Sequence, residues 1–136
     1  MSTPAWHEDW FPEYRTERPW VMEEMIDSEP ALAERIATNR KVVETAARIA
    51  KKAVAAHEAG EAITVIGCGT SEHGARAVAE LLDEALGHRG VRVAGRQALE
   101  AAIDPAPAGL TIGVSHDGGT RATLLGLLAA REAGQK

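Results

Sequence analysis

Two short segments of the sequence place small residues next to hydroxyl and acid–base groups. They read GCGTSEHG over residues 67–74 and SHDGGT over residues 115–120, and each precedes a helical pattern. Unpaired amides and the helix dipole favour an anion at the start of a helix, where Ser71 adds a hydroxyl donor. The pattern predicts an anion-binding site, with simple helix capping as the alternative and commoner reason for a polar helix start.

The first loop resembles a dinucleotide-binding fingerprint in the spacing of Gly67 and Gly69. It fails that pattern because Glu72 stands where the third glycine belongs. No acidic residue ends the second predicted strand, which Arg92 and Arg96 flank instead. The loop is not a Walker A sequence either, so we expect neither a nucleotide nor any other cofactor.

Other reactive side chains near the loops carry weaker signals. Cys68 lies at a strand end, where a small packing residue is a better explanation than a nucleophile. His73, His116 and Asp117 could meet across the two loops, but two histidines and one carboxylate on loops make a weak metal pattern. The sequence therefore predicts no metal site.

Three short apolar runs, at 62–67, 91–94 and 110–115, predict strands, and helical patterns lie between and after them. This alternation predicts a doubly wound parallel sheet, a flavodoxin-like three-layer α/β domain over residues 61–136. Three strands would leave an open sheet edge. We therefore expect the domain to be truncated or to be completed by a partner.

The region before the sheet divides into an irregular arm at 1–19 and a long helical lead-in at 20–60. Within the lead-in, the sequence SEP at 28–30 predicts that a short helix ends there and that a second begins at Pro30. The arm is rich in aromatic residues that we expect to dock on a surface. The five aromatic residues of the chain are Trp6, Trp10, Phe11, Tyr14 and Trp20.

Composition excludes several classes of protein. A formal net charge of -5 argues against a nucleic-acid partner. No apolar run approaches the roughly 18 residues that span a bilayer, and the N-terminus lacks the pattern of a signal peptide. A single cysteine suits a reducing compartment. We expect a cytoplasmic protein without a membrane partner.

The combination of CGTS at 68–71 with SHDGGT at 115–120 is similar to the sugar isomerase (SIS) family, whose domains carry CGTS after one strand and S-x-S-G-x-T after another. Met22, Ile26 and Pro30 are also similar to the M-x-x-E-I-x-E-Q-P lead-in of the isomerase half of glucosamine-fructose-6-phosphate aminotransferases and of fructosamine deglycases. The resemblance covers the chain from residue 20 onward. It implies a five-stranded parallel sheet, paired domains, and a homodimer or larger homo-oligomer.

In that family the two loops hold the phosphate of a phosphosugar. Carried over by position, the residues implied to bind sugar or phosphate are Gly69, Thr70, Ser71, Ser115, His116, Asp117, Gly118 and Thr120. The implied function is binding of a phosphosugar or amino sugar in a sugar isomerase, isomerizing aminotransferase or deglycase-like protein. The alternative is a non-catalytic sugar-sensing module that binds an unphosphorylated or amino sugar.

Three positions depart from the family pattern: Asp117 replaces a serine, Gly119 a commonly acidic residue, and Met25 a glutamate. Asp117 matters most, because a carboxylate within about 4–6 Å of a dianion is unfavourable unless it is protonated or bridged by a cation. Three alternatives remain open for Asp117. It caps the following helix and points away, it occupies the site as an internal anion, or it recognises a hydroxyl or amino group of an unphosphorylated sugar.

The sequence gives little support for a catalytic role of this chain. Aldose–ketose isomerisation needs a general base, and the only acid–base groups near the loops are Glu72 and His116. The resemblance assigns neither of them a role, so we expect this chain alone to be inactive. Sugar-sensing regulators of the family carry a basic helix-turn-helix, which residues 1–60 lack, and this favours the enzyme-related function.

Overall fold

The computed structural model describes residues 17–87, 90 and 92–136. Most of the predicted aromatic arm therefore lies outside the described residues. The chain divides into two compact units, Met1–Ala47 and Arg48–Lys136, each of which is described by itself.

The first unit contains helix α1, which spans Val21–Thr38 with Pro30 inside it. The prediction that one helix ends at 28–30 and another begins at Pro30 is therefore wrong. Proline removes one amide from the helix and leaves the carbonyl of Ile26, four residues earlier, without its partner. Because none of the residues of α1 is buried, water can hydrate that carbonyl and the helix continues.

Helix α2 spans Arg40–Glu58 and begins in the first unit. The Oδ1 atom of Asn39 accepts the amides of Lys41 and Val42 at 3.0 and 3.3 Å. Amides of a first helical turn have no partner within the helix, so this side chain supplies one. Asn39 therefore separates α1 from α2 and caps the second helix.

The second unit is built on a three-stranded parallel sheet in the order β2-β1-β3. Strand β1 spans Ile63–Gly67, β2 spans Val93–Gln97 and β3 spans Leu110–Gly113. All five residues of the central strand β1 are buried, as in a strand that is covered on both faces. The predicted α/β class with a parallel sheet is confirmed.

Helices cover both faces of this sheet. Helix α3 (Thr70–Leu86) packs on the face that carries Val65, whereas α4 (Ala98–Ile103) and α5 (Arg121–Glu132) pack on the face that carries Ile66. Successive side chains of a strand point to opposite faces, so the two contacts define three layers. Among the described helices, none is both long and apolar enough to cross a bilayer.

The second half of α2 belongs to the core of the sheet. Ala53 and Ala56 are 1% exposed and pack against Ile63 and Leu110. Alanine side chains leave room for a helix to approach a strand closely. The core is accordingly built from alanine and branched aliphatic residues, as the absence of aromatic residues after Trp20 requires.

Strand β2 is displaced from its predicted position at 91–94, and helical turns do not begin until Ala98. Pairing with β1 continues up to Gln97, which lies opposite Gly67. Within the strand, a Cβ atom on Gly95 would lie 2.6 Å from the Cα atom of Arg76 on α3. Gly95 thus permits close packing of a helix on a strand, although its residue type suggests a turn.

After α5 the chain returns to the outer edge of β3. Gly134 has a φ of +86°, and the amide of Gln135 donates to the carbonyl of Ala130 at 2.9 Å, which ends the helix. Lys136 then donates its amide to Gly109 (3.0 Å) and accepts the amide of Thr111 (3.3 Å). These two bonds are those of a neighbouring parallel strand, so Lys136 pairs with the edge that was expected to be open.

Candidate functional site

Both predicted loops lie at the same edge of the sheet. Strands β1 and β3 are adjacent and parallel, and the amide of Val114 donates to the carbonyl of Ile66 at 2.8 Å. Because β2 and β3 lie on opposite sides of β1, the direction of the connections reverses between β1 and β3. Ligands of open α/β sheets bind at such a reversal, outside the carboxyl ends of the strands. The two loops therefore flank the natural ligand position of this fold.

Glycine fixes the path of the first loop. A Cβ atom on Gly67 would lie 2.2 Å from the backbone oxygen of Ser71, so any larger residue would push α3 away from β1. Gly69 has a φ of +59°, a conformation that side-chain-bearing residues rarely adopt. Together they let the helix begin at Thr70, directly after the strand.

Some backbone amides in the first turn of α3 already have hydrogen-bond acceptors nearby in the chain. The amide of Ser71 donates to the carbonyl of Cys68 at 3.2 Å, and that of Glu72 donates to Gly69 at 3.0 Å. Thr70 and Gly69 are exposed and Ser71 is half-buried. The first loop therefore offers fewer free amides to an anion than its residue types suggest.

Glu72 is held by a neighbour on the same helix. Its Oε1 atom accepts from Nη2 of Arg76 at 2.8 Å and from Nε at 3.2 Å, a pairing of residues four apart. The side chain of Glu72 is 21% exposed. The ion pair with Arg76 holds the carboxylate of Glu72 on the surface of α3.

The second loop is organised around one carboxylate oxygen. Oδ1 of Asp117 accepts the amide of Gly119 at 2.9 Å and the hydroxyl of Thr120 at 3.3 Å. The Oγ atom of Ser115 lies 3.2 Å from both Asp117 Oδ1 and Thr120 Oγ1, and it accepts the amide of Gly118 at 3.1 Å. Because Ser115 carries one hydroxyl proton, it donates to one of these two oxygens at a time.

These donors stabilise the charged form of Asp117. The backbone amide of Gly119, followed by the hydroxyl of Ser115, holds the pKa of this carboxyl below its ordinary value. Hydrogen bonds to a carboxylate favour its ionised form. The second loop therefore carries a fixed negative charge at neutral pH.

Asp117 does not cap α5. The N-cap residue of that helix is Thr120, which makes no side-chain capping bond and directs its hydroxyl to Asp117 instead. This geometry disfavours the first of the three alternatives for the aspartate, because its carboxylate lies among the loop's own donors, and the second and third stay predictions. The bonds from Ser115, Gly119 and Thr120 all go to Oδ1, which leaves Oδ2 outside this network.

The remaining predicted residues lie around this network. His116 and Gly118 are exposed, and Gly118 has a φ of +74°, which turns its amide toward Ser115. His73 is exposed on the first turns of α3. A search of the described residues for three or more histidine, cysteine or acidic side chains placed to hold a metal ion finds no such group.

Cys68 has a packing role. It is half-buried and lies against the cluster formed by Ile66, Ala98 and Ala101, on the α4 and α5 side of the sheet. The structure thus places its thiol beside α4 rather than in the hydrogen-bond network of the second loop.

The sequence reasoning missed the amide of Gly119, which makes the shortest hydrogen bond to Asp117. The signal was present in the spacing Asp-x-Gly, since an aspartate commonly accepts the amide two residues later. Gly119 enters the sequence prediction only as a departure from a family pattern, whereas Asp117 is itself predicted to bind sugar or phosphate.

Comparisons with models of protein families, with curated proteins and with solved structures find no match for this chain.

Proposed function

We propose that this chain is a sugar-binding α/β domain of the SIS type, and that it binds an unphosphorylated sugar or an amino sugar. One observation carries the proposal: the carboxylate of Asp117 is placed among the donors of Ser115, Gly119 and Thr120. In the corresponding loops of the SIS family, the equivalent donors would hold a phosphate.

Electrostatics support an uncharged or cationic ligand. A phosphate dianion beside the ionised Asp117 would meet a like charge and would find its hydroxyl and amide donors already engaged. A neutral sugar avoids this repulsion, and an amino sugar gains an attraction. The carboxylate of Asp117 therefore disfavours phosphorylated ligands and favours neutral sugars or amino sugars.

The hydrogen-bonding capacity of the loop also suits a sugar. Oδ2 of Asp117 can accept from a sugar hydroxyl or an ammonium group, whereas the hydroxyls of Ser115 and Thr120 both donate and accept. Sugar hydroxyls likewise donate and accept, so each can find a complementary partner in such a cluster. His116, exposed next to Asp117, adds an imidazole at the rim.

The position of the loop in the fold is a further argument. The carboxyl ends of β1 and β3 form the point where the strand order reverses, and the paired loop sequences at that point are what resembles the SIS family. We assign no catalytic step to this chain, since Glu72 is paired with Arg76 and no described group is placed as a general base. By the same resemblance we expect a homodimer, and from the single cysteine a cytoplasmic location.

A second candidate is the phosphosugar-binding domain of an isomerase, aminotransferase or deglycase-like enzyme. It is favoured by the convergence of Ser115 Oγ, Thr120 Oγ1 and the amide of Gly119 on a single oxygen. If the side chain of Asp117 turned outward, a phosphate oxygen could replace Oδ1. This candidate predicts that phosphosugars bind the unmodified chain.

Thermal unfolding with a ligand panel separates the two candidates, because a ligand that binds only the folded state raises the melting temperature. The panel holds glucosamine, fructose and their 6-phosphates. We expect the unphosphorylated sugars to stabilise the wild type and to lose this effect in Asp117→Ser. Asp27→Ser, which changes an exposed aspartate of α1, is the matched control.

The opposite pattern would overturn the proposal. Stabilisation of the wild type by the 6-phosphates, unchanged in Asp117→Ser and lost in Ser115→Ala, would establish the phosphosugar candidate. A response to none of the four sugars would reject both.

A further inference from the structure

A cleft lies in the other half of the sheet, away from the two loops. It has a volume of about 260 Å³ and lies beside the amino-terminal parts of β1 and β2. Its lining includes Thr64 and Ala94 on the two strands, together with Arg92, Arg96 and Asp104. Thr64 and Ala94 are opposite each other in register, so they share the face that carries α4.

The length of α4 explains why a cleft exists there. Six helical residues extend about 9 Å, whereas a strand of five residues extends roughly 16 Å. The helix therefore covers only the end of β2 from which it starts. None of the residues that line the cleft is helical, and the wall opposite the strands comes from the irregular segment at 104–106.

The charges around the cleft do not balance. The guanidinium of Arg96, with 27% of its side chain exposed, donates from Nη1 to the backbone oxygen of Asp104 at 2.9 Å. Its Nη2 atom is 3.5 Å from Asp104 Oδ2, and that carboxylate is 88% exposed. The guanidinium of Arg92 is exposed and has no ion-pair partner within the described part of the chain. The lining of the cleft thus contains two arginines and one aspartate, which is paired with Arg96.

We propose that this cleft binds the carboxylate or phosphate group of a small metabolite between Arg92 and Arg96. Guanidinium presents several donors in a planar fork that matches the oxygens of either group, and Arg96 uses only part of its donors on Asp104. The partial burial of Arg96 shields its charge from water and strengthens its attraction for an anion. The hydroxyl of Thr64 and the small side chain of Ala94 leave space for the bound group.

The backbone holds the two arginines in place. The carbonyl of Arg92 accepts the amide of Ile63 at 2.9 Å, and Arg96 lies opposite Ile66 in the pairing of β1 with β2. A site carried on paired strands keeps its geometry better than one carried on a loop. This anion site does not depend on the sugar function proposed for the loops at the other edge of the sheet.

Titration calorimetry with inorganic phosphate and with succinate tests the site, with ionic strength held constant by sodium chloride. We expect the wild type to bind at least one of the two anions, and the comparison of the two tells a phosphate site from a carboxylate site. Arg92→Gln and Arg96→Gln should each weaken binding about tenfold or more, since each removes a charged hydrogen-bonding partner. Arg131→Gln, an exposed arginine on α5, should keep the affinity within about twofold.

The decisive variant is Arg92→Gln, because Arg92 is exposed and its loss does not disturb the contact of Arg96 with Asp104. Ser115→Ala should leave binding unchanged, which separates this cleft from the second loop. The proposal is overturned if neither anion binds the wild type, or if Arg92→Gln binds as tightly as the wild type. It is also overturned if Arg131→Gln loses as much affinity as Arg92→Gln, since that result would indicate a general charge effect.

Discussion

The two loops at the carboxyl edge of the sheet are shaped by different forces. The first loop is fixed by backbone packing, since Gly67 lies against the start of α3 and Gly69 has a positive φ. The second loop is fixed by side-chain hydrogen bonds that converge on Asp117. One loop is thus set by the packing of the fold, whereas the other is a cluster of polar groups around a carboxylate. On the proposed function, we therefore expect ligand specificity to reside in the second loop.

Of the substitutions that test this comparison, Gly67→Ala, which disrupts the first loop, should lower the stability of the protein most. Its new methyl group would lie 2.2 Å from the backbone oxygen of Ser71, and backbone cannot yield as a flexible side chain can. We expect the free energy of unfolding to fall by about 3 kcal/mol or more, measured by urea denaturation.

Gly74→Ala is the matched control on the same helix. A Cβ atom there would lie 3.6 Å from Cγ1 of Val114, an ordinary contact, and alanine is the better helix former. The stability of this variant should stay the same or rise by up to about 1 kcal/mol. Equal losses in both variants would contradict the packing account of the first loop.

Ser115→Ala and Ser71→Ala compare the contributions of the two loops to sugar affinity. Ser115 contacts both Asp117 and Thr120, whereas the structure shows Ser71 making a backbone bond to Cys68. We expect Ser115→Ala to reduce sugar affinity about tenfold, as the loss of a hydrogen bond to a charged group would. Ser71→Ala should reduce it by no more than about threefold, and the reverse order would place specificity in the first loop.

Asp117→Asn should loosen the second loop while the fold remains intact. The amide of Gly119 and the hydroxyl of Thr120 would lose their charged acceptor, and neutral acceptors form weaker hydrogen bonds. We expect hydrogen exchange at Gly119 to accelerate several-fold, with no change at the amide of Val114, which bonds to Ile66 in the sheet. Protection of Gly119 that persists in this variant would show that the backbone alone fixes the loop.

The pH dependence of the second loop follows from the same carboxylate. The folded pKa of Asp117 lies below its ordinary value because of the amide of Gly119 and the hydroxyl of Ser115. A depressed pKa means that the stabilisation is fully present above the unfolded pKa, about 4, and is lost as pH falls through the folded pKa. Proton chemical shifts of the Gly119 amide should therefore titrate below pH 4, while a midpoint above 4 would contradict the hydrogen-bond network.

Much of the α/β unit could be predicted from the sequence because its strands β1 and β3 are short runs of apolar and β-branched residues between small-residue loops. Helix α3 likewise ends at Gly87, whose left-handed conformation the residue type suggests. The predicted second strand at 91–94 ends too early, since β2 continues through Gly95 to Gln97, and only the approach of Arg76 reveals why a glycine stands in the strand. Pro30 was misread because its effect depends on whether the freed carbonyl reaches water.

The conformation of Asp117 could not be predicted for a similar reason. The carboxylate of an aspartate before two glycines can accept a hydrogen bond from an amide of the following helix or from an amide of its own loop. The two arrangements differ by a rotation of the side chain that costs little energy. Only the joint positions of Ser115, Gly119 and Thr120 decide between them. Residue types predicted where the candidate site lies, whereas the charge preference that we propose for it needed three-dimensional contacts.

The central claim is that Asp117 gives the second loop a preference for ligands without phosphate. The most direct measurement is the affinity of the chain for glucosamine and for glucosamine 6-phosphate, by calorimetry, in the wild type and in Asp117→Asn. We expect the wild type to bind glucosamine more tightly than its 6-phosphate, and Asp117→Asn to lose or reverse that preference. Tighter binding of the 6-phosphate by the wild type, unchanged by the substitution, would contradict it.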